Sequence, residues 1–230
     1  MKAFLLAAGN GTRLRPLTDT MPKCLLPIRQ APLLQIWLQN CERSGIDEVI
    51  LNAHAHVEKV REFVRGQKSK VKVHLVEEPV LLGSAGTLAE CSRFVRDEET
   101  FLILYADVLT SVALADFAAF HREKGKLASI GIHRVPDPTR CGVVGLDSRG
   151  IVTSFTEKPA FPESNWVFSG IMAANHDVLA LLPGSRPADI GFHLLPKLTG
   201  EMAAFEISDY LVDVGTLESY TAAQTSWPGL

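Results

Sequence analysis

The stretch LLAAGNGTRLRPLTDTMPKCLLPI, residues 5–28, decides how this chain is read. It begins as an apolar strand, passes Gly9 and Gly11, and then carries Arg13 and Lys23. Glycine has no Cβ, so backbone N–H groups there can close on an anion, and concave rows of N–H groups bind phosphate. Arg13 adds a planar fork of donors and Lys23 a mobile point charge. The pattern predicts a phosphate-binding loop at the end of a strand; the competing reading is a solvated turn with surface cations. It is not the GxxxxGK[ST] loop, which the spacing does not match. A dinucleotide fingerprint fails as well, because Leu14 stands where a third small residue is due and no acidic residue closes the second strand.

Working outward, short apolar runs alternate with helical patterns in the order of an α/β sheet. KAFLLAA is a strand and PLLQIWLQNCERSG an amphipathic helix, with Leu34, Trp37, Leu38 and Cys41 on one face and Gly45 as its stop. EVILNA, VKVHLV and TFLILYAD read as strands, while VEKVREFVRG, SAGTLAECSRFV and SVALADFAAFHREKG read as helices. Four such strand-then-helix units imply parallel strands covered on both faces. From about residue 126 the rhythm changes to hairpins, in LASIGIHRV, GVVGLD, IVTSFTEK and WVFSGIMAAN, predicting an antiparallel annex walling the sheet's carboxyl edge. Short helices at HDVLALLP and IGFHLLPKL, a late strand AAFEI and a closing helix TLESYTAAQTS complete the chain. No repeat or linker separates the halves, so the expectation is one domain, 1–125 and 126–230 sharing a core.

At 230 residues, 47% of them hydrophobic and 21% charged, the chain can bury a large core without staples. The formal net charge of −3, with no block of Lys or Arg, speaks against nucleic acid or an acidic membrane as partner, so any anion site is local. Cys24, Cys41, Cys91 and Cys141 are scattered, with no CxxC, which reads as reduced thiols in a cytoplasmic protein. The opening apolar run is too short for a signal peptide, and no run approaches the ~20 residues of a membrane span. Oligomeric state is not legible in these patterns.

Ligands of open α/β sheets bind beyond the carboxyl ends of the strands, which directs attention to the residues just after each apolar run. Asp107 in LYADVLT follows a fully apolar strand, and Asp213 in YLVDVGT follows another. A carboxylate there needs a cation, a helix N-terminus or a metal, and for Asp107 the alternative is a simple helix cap. Two such carboxylates can share one Mg²⁺, a hard cation that uses one or two carboxylates plus substrate phosphates. EPVLLGSAGTL, residues 78–88, opens a helix with two glycines and reads as either a tight turn or a surface for a flat base. FTEKP places Glu157 and Lys158 side by side, as a binding pair or as surface charge. His54 and His56 read as a loop pair bonded to turn backbone rather than as metal ligands.

These stretches, in this order, resemble the sugar-1-phosphate nucleotidylyltransferases, the nucleoside-diphosphate-sugar pyrophosphorylases. The opening loop is similar to LAAGxGTRLxPLTxxxPKxLxPI almost position for position, and the resemblance spans nearly the whole chain. It implies an α/β fold, a Rossmann-like three-layer sandwich with a mostly parallel central sheet and a small antiparallel sugar-binding annex. It assigns the nucleotide to Leu6, Ala8, Gly9, Gly11, Thr12, Arg13, Lys23, Glu78, Gly83, Ser84, Ala85 and Gly86, with Arg13 and Lys23 catalytic. Gly142, Glu157, Lys158 and Ser169 would bind the sugar phosphate, and Asp107 and Asp213 would hold Mg²⁺. Ala106, Cys141 and Phe168 depart from the family pattern, standing in place of a glycine, an aromatic and an asparagine. The implied reaction joins a nucleoside triphosphate and a sugar-1-phosphate, releasing pyrophosphate. GTP with mannose-1-phosphate or a related hexose or heptose phosphate is the preferred pair. UTP or dTTP with N-acetylmuramate or glucose 1-phosphate is the alternative, and a silent nucleotide-sugar sensor is the alternative of another class. The pattern of the catalytic fold runs to about residue 226 of 230, so the expectation is that no left-handed β-helix of the kind fused to some relatives is present.

Overall fold

The computed structural model describes all 230 residues. In chain order it forms β1 (Lys2–Leu6), β2 (Pro27–Ile28), β3 (Ala31–Pro32), α1 (Leu33–Arg43), β4 (Glu48–Ala53), α2 (Val57–Gly66) and β5 (Lys72–Glu77). There follow α3 (Ser84–Glu90), β6 (Thr100–Tyr105), β7 (Val108–Thr110), α4 (Leu114–Lys124), β8 (Ala128–Arg134), β9 (Gly142–Leu146) and β10 (Val152–Glu157). The chain ends with β11 (Trp166–Asn175), α5 (Ile190–His193), β12 (Met202–Glu206), β13 (Leu211–Asp213) and α6 (Leu217–Ser226). Two compact units interleave along it: Met1–Leu81 with Leu104–Ala115 and Asp209–Leu230, and Leu82–Ile103 with Asp116–Ser208.

In the first unit the strand order is β6–β1–β4–β5, with the end of β6 belonging to it. β1 runs parallel to β4, pairing Lys2 with Glu48 through Leu6 with Asn52, and β4 runs parallel to β5. Ala3, Phe4, Leu5, Val49, Ile50 and Leu51 are buried in succession, as expected of strands covered on both faces. α1 buries Leu34, Trp37, Leu38 and Cys41 as the periodicity predicts, and Gly45, at φ 70°, follows its end in the left-handed region. The expected helix at SVALADFAAFHREKG starts late, at Leu114: Val108–Thr110 form β7 against β13, and the next residues are held outside the helix, Ser111 N donating to Tyr210 O and Val112 N to Thr110 Oγ1. α6 begins in a capping box between Thr216 and Ser219 and is tied to β2 by Tyr220 Oη and Gln224 Nε2, which both donate to Pro27 O.

In the second unit β11 is the neighbour of β6, pairs antiparallel with β8 and β9, and β9 pairs antiparallel with β10. The hairpin rhythm predicted after residue 126 is thus present, but these strands extend the sheet from β6 instead of standing apart from it. Length decides this: β11 has ten residues, with Val167 and a run from Ser169 to Ala174 buried, and needs sheet partners on both edges. The late strand β12 pairs parallel with β8, Met202 opposite Ala128. SAGTLAECSRFV breaks into α3 and a 3-10 turn at Ser92–Val95, and IGFHLLPKL into α5 and a 3-10 turn at Leu195–Leu198. Below β8, buried His121 lies 2.9 Å from Ser129 Oγ and donates through Nε2 to Asn175 Oδ1 at 2.8 Å.

Candidate functional site

The first unit gathers the charged residues singled out in the sequence. After β1 the loop turns at Gly11, whose φ of 62° a side chain would strain and whose missing Cβ leaves room for Thr18 Cγ2 at 2.9 Å. Thr18 Oγ1 donates to Gly11 O at 2.8 Å, and His56 Nε2 donates to Thr18 O at 3.1 Å. Nothing stands within 4 Å of a Cβ built on Gly9, so that face of the loop is open. Lys23, in the 3-10 turn Lys23–Leu25, reaches Asp107 Oδ2 at 2.8 Å and Asp213 Oδ1 at 3.8 Å. Its side chain is only 10% exposed, against 39% for Asp107 and 62% for Asp213.

The two aspartates meet because β7 and β13 pair antiparallel, and Val214 N donates to Asp107 O at 2.9 Å. Burial raises the Asp213 carboxyl above the usual range, and the charge of Asp107 raises it further; Lys23 and Arg13 oppose the shift. Gly215 leaves room for Arg13 and Asp213 side by side: a Cβ there would lie 3.0 Å from the Arg13 guanidinium and 2.8 Å from Asp213 Oδ1. Beside Lys23 and Asp107 lies a cavity of about 30 Å³ bounded by Leu6, Ala7, Gly9 and Ala106, room for about one water-sized group.

Asn52 is a residue the sequence reading missed. Buried at 3% exposure, it accepts from Ala7 N at 2.6 Å and donates to Glu78 Oε1 at 2.8 Å, fixing where the opening loop leaves β1. The available signal was an amide at the end of the otherwise apolar run EVILNA. Glu78 itself is 2% exposed, and its carbonyl accepts from His54 Nδ1 at 2.7 Å. Both loop histidines therefore bond backbone carbonyls, as expected.

In the second unit the bare backbone at Gly83 is taken up by the chain itself. A Cβ on Gly83 would sit 2.2 Å from Ala188 O, and Ala85 N and Gly86 N donate to that carbonyl at 3.0 and 3.1 Å. Ser84 Oγ donates to Asp189 Oδ2 at 3.0 Å and accepts from Ile190 N at 2.8 Å. Glu157, at the end of β10, is wedged between two glycines: Cβ atoms on Gly142 and Gly191 would lie 2.8 and 2.3 Å from its Oε2. Burial raises the Glu157 carboxyl, Asp189 adding to the shift and Lys158 opposing it. Lys158 adopts a left-handed φ of 50°, donates its N–H to Cys141 O at 2.8 Å, and holds Nζ 3.5 Å from Glu157 Oε1. Ser169 is buried in the irregular stretch of β11 beside Gly170, and its Oγ accepts from Ile171 N at 3.3 Å.

Comparison with known proteins places these residues in a family. A model of the nucleotidyl transferase family matches residues 2–227, and the chain belongs to that family. The UTP–glucose-1-phosphate uridylyltransferase of a Synechocystis strain is 33% identical over 97% of this chain. Mannose-1-phosphate guanylyltransferase 1 of Arabidopsis thaliana is 32% identical over 96% of it. The chain spans 62% and 63% of the length of these two curated relatives. The structure of a UDP-glucose pyrophosphorylase complexed with UDP-glucose superposes with a TM-score of 0.85 at 19% identity, covering 97% of this chain and 96% of that one. The fold is therefore the expected one, a mostly parallel central sheet flanked by helices with small antiparallel sheets.

Proposed function

We propose that this chain transfers a nucleoside monophosphate from a nucleoside triphosphate to a sugar-1-phosphate, releasing pyrophosphate. The observation that carries the reading is Lys23 joining Asp107 and Asp213 next to the open backbone of Gly9. A sugar-phosphate oxygen attacks the α-phosphorus and the bond to pyrophosphate breaks, so the protein's work is to hold and neutralise two anions. In this reading Leu6, Ala8, Gly9, Gly11, Thr12 and Glu78 seat the nucleotide. Arg13 and Lys23 stabilise the charge that builds on the α-phosphoryl group. Gly83, Ser84, Ala85 and Gly86 are assigned to the base, and Gly142, Glu157, Lys158 and Ser169 to the sugar phosphate. Glu157 accepts sugar hydroxyls, and Lys158 supplies the cation for the phosphate.

Asp107 and Asp213 would hold a divalent cation, with Mg²⁺ the proposed ion. Their fit rests on the donor set: the β7–β13 pairing brings two carboxylates to one ammonium, hard oxygen donors of the kind such a cation takes beside substrate phosphates. Bound there, such an ion would neutralise phosphate oxygens.

The preferred substrates are GTP and mannose 1-phosphate or a related hexose or heptose phosphate, in keeping with the 32% identical guanylyltransferase. UTP with glucose 1-phosphate is the second reading, favoured by the 33% identical uridylyltransferase. The test is pyrophosphate release with Mg²⁺, each of four triphosphates and a panel of sugar-1-phosphates. Release confined to the GTP–mannose 1-phosphate pair supports the first reading, and its absence with every pair defeats the transferase assignment.

A further inference from the structure

We infer that Asp189 is a positioning residue that, through its clasp on Ser84 and its cap on α5, holds Glu157 in its sugar-binding place; this rests on the function proposed above. The carboxylate divides its two oxygens between two tasks. Oδ2 accepts from Ser84 Oγ at 3.0 Å, while Oδ1 accepts from Gly191 N at 2.8 Å and from Phe192 N at 3.4 Å, capping α5. Ser84 completes the ring by accepting from Ile190 N. One step earlier in the chain, Ala188 O takes both N–H groups of Ala85 and Gly86, and Ala188 N donates to Leu82 O at 2.9 Å. Residues 188–190 are thus bound at five points to the GSAG segment and its neighbour Leu82.

The other end of this clasp is Glu157. Gly191, whose N–H Asp189 holds, packs its bare Cα against Glu157 Oε2, and on the opposite side Gly142 does the same. Lys158 Nζ lies 3.5 Å from Oε1, but Oε2 sits between two glycines, so its place depends on where those two backbones run. Gly142 is fixed by its β9 pairing with Glu157 itself. Gly191 is fixed through Asp189 and Ser84. A shift of α5 moves one wall of the Glu157 slot, and the segment assigned to the base is bolted to the same wall. The glycines of GSAG, which the sequence offers to a base, receive the chain's own backbone, and the hydroxyl of Ser84 is a strut.

The experiment is steady-state kinetics with GTP and mannose 1-phosphate, and with UTP and glucose 1-phosphate, on Asp189→Ala, Ser84→Ala, Glu157→Gln and the Asp189→Ala/Glu157→Gln double variant. Glu157→Gln should raise KM for the sugar phosphate alone. Asp189→Ala and Ser84→Ala should each raise the same KM by about tenfold, the range for removing a residue that orients a ligand-contacting one. The double variant should be no worse than the weaker of its parents, because both changes disable one group. Ser84→Thr, which keeps the hydroxyl for both of its bonds, should restore wild-type values. If Asp189→Ala does not fold, Ser84→Ala carries the test, since it leaves the α5 cap in place. Multiplying effects in the double variant, or a normal sugar-phosphate KM in Ser84→Ala beside an impaired Glu157→Gln, overturns the clasp alone. A silent Glu157→Gln, or a wild-type protein that turns over neither pair, overturns the functional reading and the clasp with it.

Discussion

Replacing Lys23 by methionine keeps the apolar stem and removes the ammonium group, which isolates the charge that joins Asp107 and Asp213. The stability cost is small: the Lys23 side chain is itself only 10% exposed, but Asp107 and Asp213 are 39% and 62% exposed, so water screens both contacts, and pairs screened in this way are worth on the order of 1 kcal/mol. For a chain of this size that corresponds to a melting shift of roughly 2–4 °C. The effect on turnover is of another order. A preorganised donor aimed at developing charge contributes roughly 10²–10³ in rate, or about 3–4 kcal/mol. Lys23→Met should therefore lose turnover by hundreds while melting within a few degrees of the parent. Initial rates of pyrophosphate release and a thermal melt on the same preparations measure both quantities. A variant that keeps kcat within about tenfold of the parent would refute the role given to Lys23, since the donor loss alone is worth more than that. A loss of turnover explained by unfolding would refute the estimate of the pair's exposure.

Three other outcomes follow from the same structure. Gly83→Ala puts a Cβ 2.2 Å from Ala188 O at a φ of 76°, so backbone strain and overlap together should cost about 2–4 kcal/mol, read as a clear drop in melting temperature; an unchanged melt would mean that residues 186–190 do not pack there. Burial holds His121 below the usual histidine range, with the charge of Arg122 acting in the same direction and the hydrogen bond to Asn175 opposing it. The unfolded chain then binds the proton more readily, so stability is fully present above about pH 6.5 and declines as pH falls toward the depressed folded value. His121→Gln should flatten that part of a denaturation-versus-pH curve, and an unchanged slope would remove His121 as its source. Thr216→Ala removes the capping box of α6 and should cost about 1 kcal/mol in chemical denaturation; no change would show the cap to be redundant with the Tyr220 and Gln224 bonds to Pro27.

Much of this molecule was legible before any coordinates. Hydrophobic period is a local property, and it located the buried face of α1 at Leu34, Trp37, Leu38 and Cys41 and the strands on either side. The opening loop was legible for the same reason: glycines, arginine and lysine that serve one anion lie within a few residues of each other. Boundaries were less so, and α4 began late because Ser111 N is taken by Tyr210 O, from a segment about a hundred residues further on, and Val112 N by Thr110 Oγ1.

Sequence alone determined the alternation of strand and helix, the phosphate loop, and the family to which the motifs point. Tertiary structure alone decided which charges meet. Lys23 and Asp107 are separated by 84 residues, and no periodicity encodes their 2.8 Å contact. It also decided that β12 lies parallel to β8, that Asn52 braces the start of the loop, and that Ala188 fills the space a glycine had left open. The physical reason is that strand and helix preferences come from neighbours along the chain, whereas register, close backbone approach and the pairing of buried polar groups come from segments that chain order keeps apart.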